Sequence, residues 1–284
     1  MAKLKIGEVV SAGFAFVRPA WAVAPAPLVL VVLAAAAAQG YAVNNPGLSF
    51  WLLAQLAAQT LALGALYRSA LSPDHPGDES FRIGPAGVQW GAVEWRVLGV
   101  TLIVIALVVA FLFVVAFLWA MGLTLLAAAH AIDVGGFQNL ASEGLPGLQR
   151  LMAGPAGLVS AAILAPAAAI LVYLAARLSL FAVQSVDTAR FDIGRAWSVT
   201  RGATGAIVVA MIVIFACEVG VSAAADLAGG LIASVMGAGQ GALLGVIAGA
   251  AAASAFSLPM TAGVAAYVYR VQRGGGASAA GLFS

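Results

Sequence analysis

Charge is what this sequence has least of. Only 8% of its 284 residues are Asp, Glu, Lys or Arg, against about 25% in soluble globular domains. That deficit excludes a surface wetted on all sides, and with 63% hydrophobic residues the chain reads as an integral membrane protein. Cysteine is scarcer still: a lone Cys217 excludes an intramolecular disulfide and a CxxC-type metal site. Histidine occurs only at His75 and His130, and no GxSxG, phosphate-binding glycine loop or HExxH motif is present. Together these absences leave no catalytic constellation, cofactor or metal to expect. A net charge of +2 carries no nucleic-acid signal.

What is abundant is uncharged sequence. Residues 19–67, 97–129, 151–176 and 227–269 contain no Asp, Glu, Lys or Arg, and a spanning helix needs only about 20 apolar residues. The runs are continuous in Ala, Leu and Val, without the alternation of a barrel strand, so the spans are helical. The expected fold is an all-α polytopic membrane protein forming one integral domain. Six spans fall at about 21–38, 50–67, 97–120, 157–176, 205–225 and 241–269, paired as three hairpins, with the first turn at GYAVNNPG and a kink at Pro259. Residues 1–18 read as an amphipathic N-terminal helix, not a cleaved leader, because Glu8 and Arg18 break the pattern of a basic start followed by an apolar core.

Lys and Arg set the orientation. With both termini cytoplasmic, the inner segments hold Lys3, Lys5, Arg18, Arg68, Arg82, Arg96, Arg177, Arg190, Arg195, Arg201, Arg270 and Arg273, and the outer segments only Arg150. Twelve against one favours an even number of spans. The abundance of alanine and the excess of Arg over Lys point to a bacterium with GC-rich codons, hence the inner membrane.

Three stretches repeat a pattern. FAFVR, VEWR and AWSVTR precede the odd spans, and each even span closes on a Tyr and Arg pair: Tyr67 with Arg68, Tyr173 with Arg177, Tyr269 with Arg270. These are marks of a membrane interface or of an internal three-fold repeat. Written as one helix, 186–201 places Val186, Ala189, Ile193, Trp197 and Thr200 on one side. The whole of 177–201 is therefore expected to lie flat on the inner leaflet, with Arg18, Arg96, Arg177, Arg190, Arg195, Trp197 and Arg201 as lipid and interface contacts.

The run RLSLFAVQSVDTARFDIGRAWSVTRG, followed by an apolar span, resembles the six-span membrane domain found beside glycerophosphoryl diester phosphodiesterases and in related bacterial inner-membrane proteins. Arg177 matches the Arg that ends the fourth span there. Trp197, Thr200 and Gly202 match the signature before the fifth, while Ala196 replaces its usual Ser. The likeness covers 177–215, and no block is long enough for the catalytic barrel. It implies a membrane module without the enzyme.

Few polar residues fall inside the spans. Glu218, Ser222 and Asp226 share a helix face at four-residue spacing, and an ionisable residue there is a candidate proton, cation or substrate site, or an outer-interface carboxylate. Gln55 and Gln59 lie one turn apart and suit hydrogen bonds between helices. Gly237, Gly241, Gly245 and Gly249, followed by Ala253, form a small-residue stripe for close helix packing. The loop SPDHPGDESFRIG, with Asp74, His75, Asp78 and Glu79, reads as solvated, since its spacing fits neither zinc nor calcium. Outside, His130 and Asp133 can pair, and 145–154 reads as a short surface helix.

The functional expectation is a non-catalytic module in envelope lipid homeostasis or a partner-binding membrane subunit. Its partners would be membrane lipids and a second protein or a copy of itself. The alternative is a small-solute or lipid transporter using Glu218 and the kinked sixth span.

Overall fold

The computed structural model describes residues 4–42, 50–129 and 154–274. Most of GYAVNNPG, the pair His130 and Asp133, and nearly all of 145–154 lie outside them. The described residues are overwhelmingly helical, with no strand among them. The helices are α1 Ile6–Val23, α2 Pro25–Ala42, α3 Phe50–Leu71, α4 Ala92–Ala128, α5 Pro155–Leu178, α6 Phe181–Thr188, α7 Ile193–Thr200, α8 Thr204–Met236 and α9 Ala238–Gln272. Seven are long and apolar enough to cross a membrane. The candidate beyond the six expected is α1.

The chain divides into two compact units, Met1–Thr101 with Ala176–Ser284, and Leu102–Ala175. The second consists of most of α4 and α5. It is apolar on nearly every face, with Phe113 and Leu158 about three-quarters exposed, as suits helices in lipid. Trp119 Nε1 donates to Ser160 Oγ at 2.8 Å, and Gly122 lies against Val159, which ties the two helices.

The first unit is built around α9. Along it α1 runs antiparallel: the Tyr267 hydroxyl donates to Glu8 Oε2 at 3.1 Å, Gly263 packs on Ala12 and Phe16, and Gly13 packs on Met260. The residues of α1 that face the bundle, Val9, Ala12, Phe16 and Ala20, are fully covered. The sequence expectation of a helix ending at residue 18 thus gives way to one that runs through Pro19 to Val23. Beyond the break at Ala24, α2 continues along α9, its Gly40 against Ile247.

Pro259 explains one contact in particular. Lacking an N–H, it leaves the Ala255 carbonyl, four residues back, without its helical donor. Trp21 Nε1 donates to that carbonyl at 3.1 Å. Trp21→Phe should therefore strand it and cost about 1–3 kcal/mol, measured as thermal unfolding in detergent. In a Pro259→Ala background, where the helix can regain its own donor, the same change should be nearly neutral. Equal losses in both backgrounds would refute the assignment.

α8 and α9 form a hairpin turned at Gly237 alone, whose φ of 98° belongs to glycine. Their 33 and 35 residues make helices about 50 Å long. The expected fifth span, 205–225, is corrected: the helix continues to Met236. Its extension is held by contacts that only glycines permit. A Cβ on Gly241 would overlap the Cα of Ala233, and one on Gly229 would stand 2.6 Å from the Gly241 carbonyl. Gly245 approaches Ala225 and Asp226, and Gly249 approaches Ser222. Three stripe glycines thus face α8 of the same chain, while Gly237 is the turn and not a packing residue.

At the arginine-rich end, Arg68 and Arg270 of the Tyr and Arg pairs are held by protein carboxylates and do not snorkel. Arg68 is buried and forms a bidentate pair with Glu94 of α4, its Nη2 lying 2.6 Å from Oε2. Nε donates to the Ser80 carbonyl at 2.9 Å, and the Gly91 N–H caps Glu94 at 2.8 Å. Arg270 reaches Asp74 at 2.9 Å. The loop between α3 and α4 is therefore fastened and not simply solvated. Its His75 stacks on Phe81 with ring centroids 4.2 Å apart and bonds to Asp187 at 2.8 Å. Asp187, its side chain 1% exposed, also accepts from the Tyr269 hydroxyl at 2.7 Å and from Arg273 at 2.5 Å. In the same loop the Ser80 backbone N–H, and then its side chain, hold the Asp78 carboxyl below the usual range.

Candidate functional site

The expected flat helix over 177–201 is broken. α5 runs to Leu178, α6 ends at Thr188, and Ala189 adopts the left-handed region with φ 56°, a conformation that costs a Cβ-bearing residue about 1–2 kcal/mol. Asp192 then caps α7 by accepting from the Arg195 N–H at 2.9 Å. Val186 is in the core, Ala189 is exposed, and the buried face of α7 is Ala196 and Thr200. No single apolar side connects them.

The interface residues separate accordingly. Arg190, Arg195, Arg201 and Arg18 are exposed, and Arg96 is half-buried. Arg177 is a correction: it is 6% exposed, donates to the Trp197 carbonyl at 3.0 Å and to Thr200 Oγ1 at 3.3 Å, and lies 4.7 Å from the Trp197 ring centroid. It holds the elbow and is covered by it.

The polar residues of the spans come together elsewhere. Glu218, Ser222 and Asp226, with Phe215, form one face of α8. That face lines a cavity of about 520 Å³ shared with Gln39 of α2, Gln55 of α3, and Ser254 and Ser257 of α9. Small neighbours, Ala35, Ala223, Ala250 and Ala253, leave the room. Gln59 does not line it and is half-buried. No Lys, Arg or His lines the cavity. None of its seven polar side chains is hydrogen-bonded to another group among the described residues.

Helical rise places the group. Gln55 and Ser257 each stand thirteen residues from Arg68 and Arg270, and Glu218 stands fourteen from Thr204, so all three lie about 20 Å from the arginine-rich end. In a hydrocarbon layer about 30 Å thick measured from that end the three would lie inside it, while Asp226, twenty-two residues from Thr204, would stand about 33 Å away, at its outer edge. A carboxylate, amides and hydroxyls converging there from four helices form an open cleft, with Gln39, Phe215 and Asp226 exposed, that can receive a polar or cationic guest. Among the described residues, no group of three or more His, Cys, Asp or Glu is arranged to hold a metal ion.

Sequence reading picked out Glu218, Ser222, Asp226 and Gln55 but passed over Gln39, Ser254 and Ser257, which lie on other helices. The only signal for these was a polar residue inside an apolar block. Glu94 and Asp187 were also missed, because each sits in a segment that reads as interfacial. Comparisons of the chain with protein-family models, with curated proteins and with solved structures give no match.

Proposed function

We propose that this chain is a non-catalytic, multi-pass membrane protein that binds a small polar solute in the cavity between α2, α3, α8 and α9, as a transporter or a ligand-gated module. The observation that carries the reading is the convergence of Glu218, Ser222, Asp226, Gln39, Gln55, Ser254 and Ser257 on one cavity. Intramembrane ionisable residues are expensive and are retained for function. Pro259 lies two residues beyond Ser257 and removes a backbone donor beside the cavity.

The layout proposed with it is six crossings with both termini cytoplasmic, in a bacterial inner membrane. Support comes from the twelve-to-one arginine and lysine segregation and from the course of α1 and α2 along α9. Together they pass from Tyr267 to Ile247, twenty residues or about 30 Å, the length of one crossing.

The test uses the purified chain in lipid discs, screened by thermal stabilisation against small cations, anions and neutral solutes. A ligand at a hundred times its Kd should add about 2.7 kcal/mol. Glu218→Gln should leave the unliganded protein's melting temperature within a degree or so and remove the ligand response. An unaltered response in the variant would remove Glu218 from the site.

A second reading, a structural or regulatory module in envelope lipid homeostasis with lipid or protein partners, is supported by exposed Arg190, Arg195 and Arg201 beside the exposed Phe191 and Ile193. Apolar side chains of that kind can enter the headgroup layer while the arginines meet anionic phosphates.

A further inference from the structure

We infer that the cavity accepts an elongated organic dication, a molecule with one ammonium group at each end of an apolar linker. This rests on the reading of the cavity as a solute site and names the solute's chemistry.

The first ground is the sign of the charge. Glu218 and Asp226 both line the cavity and no basic side chain does, so an anionic guest would meet two carboxylates with nothing to offset them. The second is spacing. Glu218 and Asp226 lie on one face of α8, eight residues apart, which separates them by about 12 Å along the axis. Carboxylates that far apart cannot close on one metal ion, whose oxygen ligands stand about 2.0–2.6 Å away. Nor can a single ammonium reach both.

The third ground is what stands between and around them. Ser222 lies one turn from each carboxylate, and Gln39, Gln55, Ser254 and Ser257 add acceptors from the other helices. Those acceptors suit the three N–H donors of an ammonium. Ala223, Val219, Ala250 and Ala253 give the linker an apolar path. The Phe215 ring, one turn below Glu218, can face the cation there.

The test is a titration calorimetry series on the full chain in lipid discs, using straight-chain α,ω-diamines of increasing length. Monoamines of matched length, a dicarboxylate and a neutral diol serve as comparisons. Affinity should rise to an optimum where the ammonium groups stand about 12 Å apart, and that diamine should bind about tenfold or more tightly than its matched monoamine. Glu218→Gln and Asp226→Asn should each reduce the diamine to the monoamine's affinity. Because the length series is run on the unmodified protein, it decides the matter even if a variant misfolds.

A monoamine that binds as well as the best diamine would overturn the inference while leaving a solute site, as would preference for the diol or the dicarboxylate. If no compound in the series or in the wider solute screen binds, both this inference and the reading of the cavity fall.

Discussion

Glu94→Gln is expected to destabilise the protein by about 3–5 kcal/mol, because it leaves the Arg68 guanidinium charged and buried without its counter-ion. The pair is enclosed: Arg68 is 2% exposed and Glu94 not at all. The carboxylate also holds the Gly91 N–H, and Nε of Arg68 holds the Ser80 carbonyl, so one charge organises both ends of the loop between α3 and α4. Even Gly64 is committed to it, since a Cβ there would overlap Glu94 Oε1. The measurement is thermal or denaturant unfolding in a fixed detergent, with exposed Arg190→Gln as the reference. Replacing both partners with apolar residues, Arg68→Met with Glu94→Leu, should recover much of the loss. A Glu94→Gln loss no greater than that of Arg190→Gln would mean the guanidinium reaches water.

Gly241→Leu is expected to have the next largest effect, about 3 kcal/mol or more, through overpacking. The α8 backbone leaves no space at that position even for a methyl group. The substitution must therefore move one helix off the other, and the displaced wall is the one that carries Glu218 and Asp226. Loss of stability should come with loss of ligand binding. Gly239→Leu, which meets nothing within 4 Å, should lower neither, since Leu also favours the helix over Gly, and a matching loss there would mean that the overlap at Gly241 is not what decides.

Much of the architecture was legible because membrane helices announce themselves by composition. Apolar runs and the distribution of arginine gave a helical membrane protein and the approximate position of each long helix. Helix ends were less legible. The fifth span was expected to end at 225, yet Gly229 beyond it lies against α9, where a Cβ would stand 2.6 Å from the Gly241 carbonyl, so a residue type that suggests a loop permits the longer hairpin. The elbow over 177–201 misled for a similar reason. Its periodicity fits one helix, but Asp192 is a cap, and a cap marks a new start.

The partners of the arginines were out of reach, since no local pattern says that a charge will be buried against a residue 26 positions away. They do share a logic visible in retrospect. Arg68, at the end of α3, takes hold of the segment that opens α4, and Arg177, at the end of α5, takes hold of the segment before α8. Two arginines of the triple pattern thus each hold a segment that leads into a later helix, while the third, Arg270, reaches back to Asp74. In the cavity, four helices contribute polar residues from three separate stretches of the sequence, which only folding brings together.

The bond from Trp21 to the Ala255 carbonyl joins residues 234 positions apart, and that from Tyr267 to Glu8 joins residues 259 apart. A ribosome adding about 5–20 residues per second takes roughly 12–47 s to reach Ala255 after Trp21 has emerged. Throughout that interval the Trp21 indole and the Glu8 carboxylate lack the partners that α9 supplies. These two contacts therefore close only once α9 has been made, on a schedule set by translation and not by the speed of helix packing.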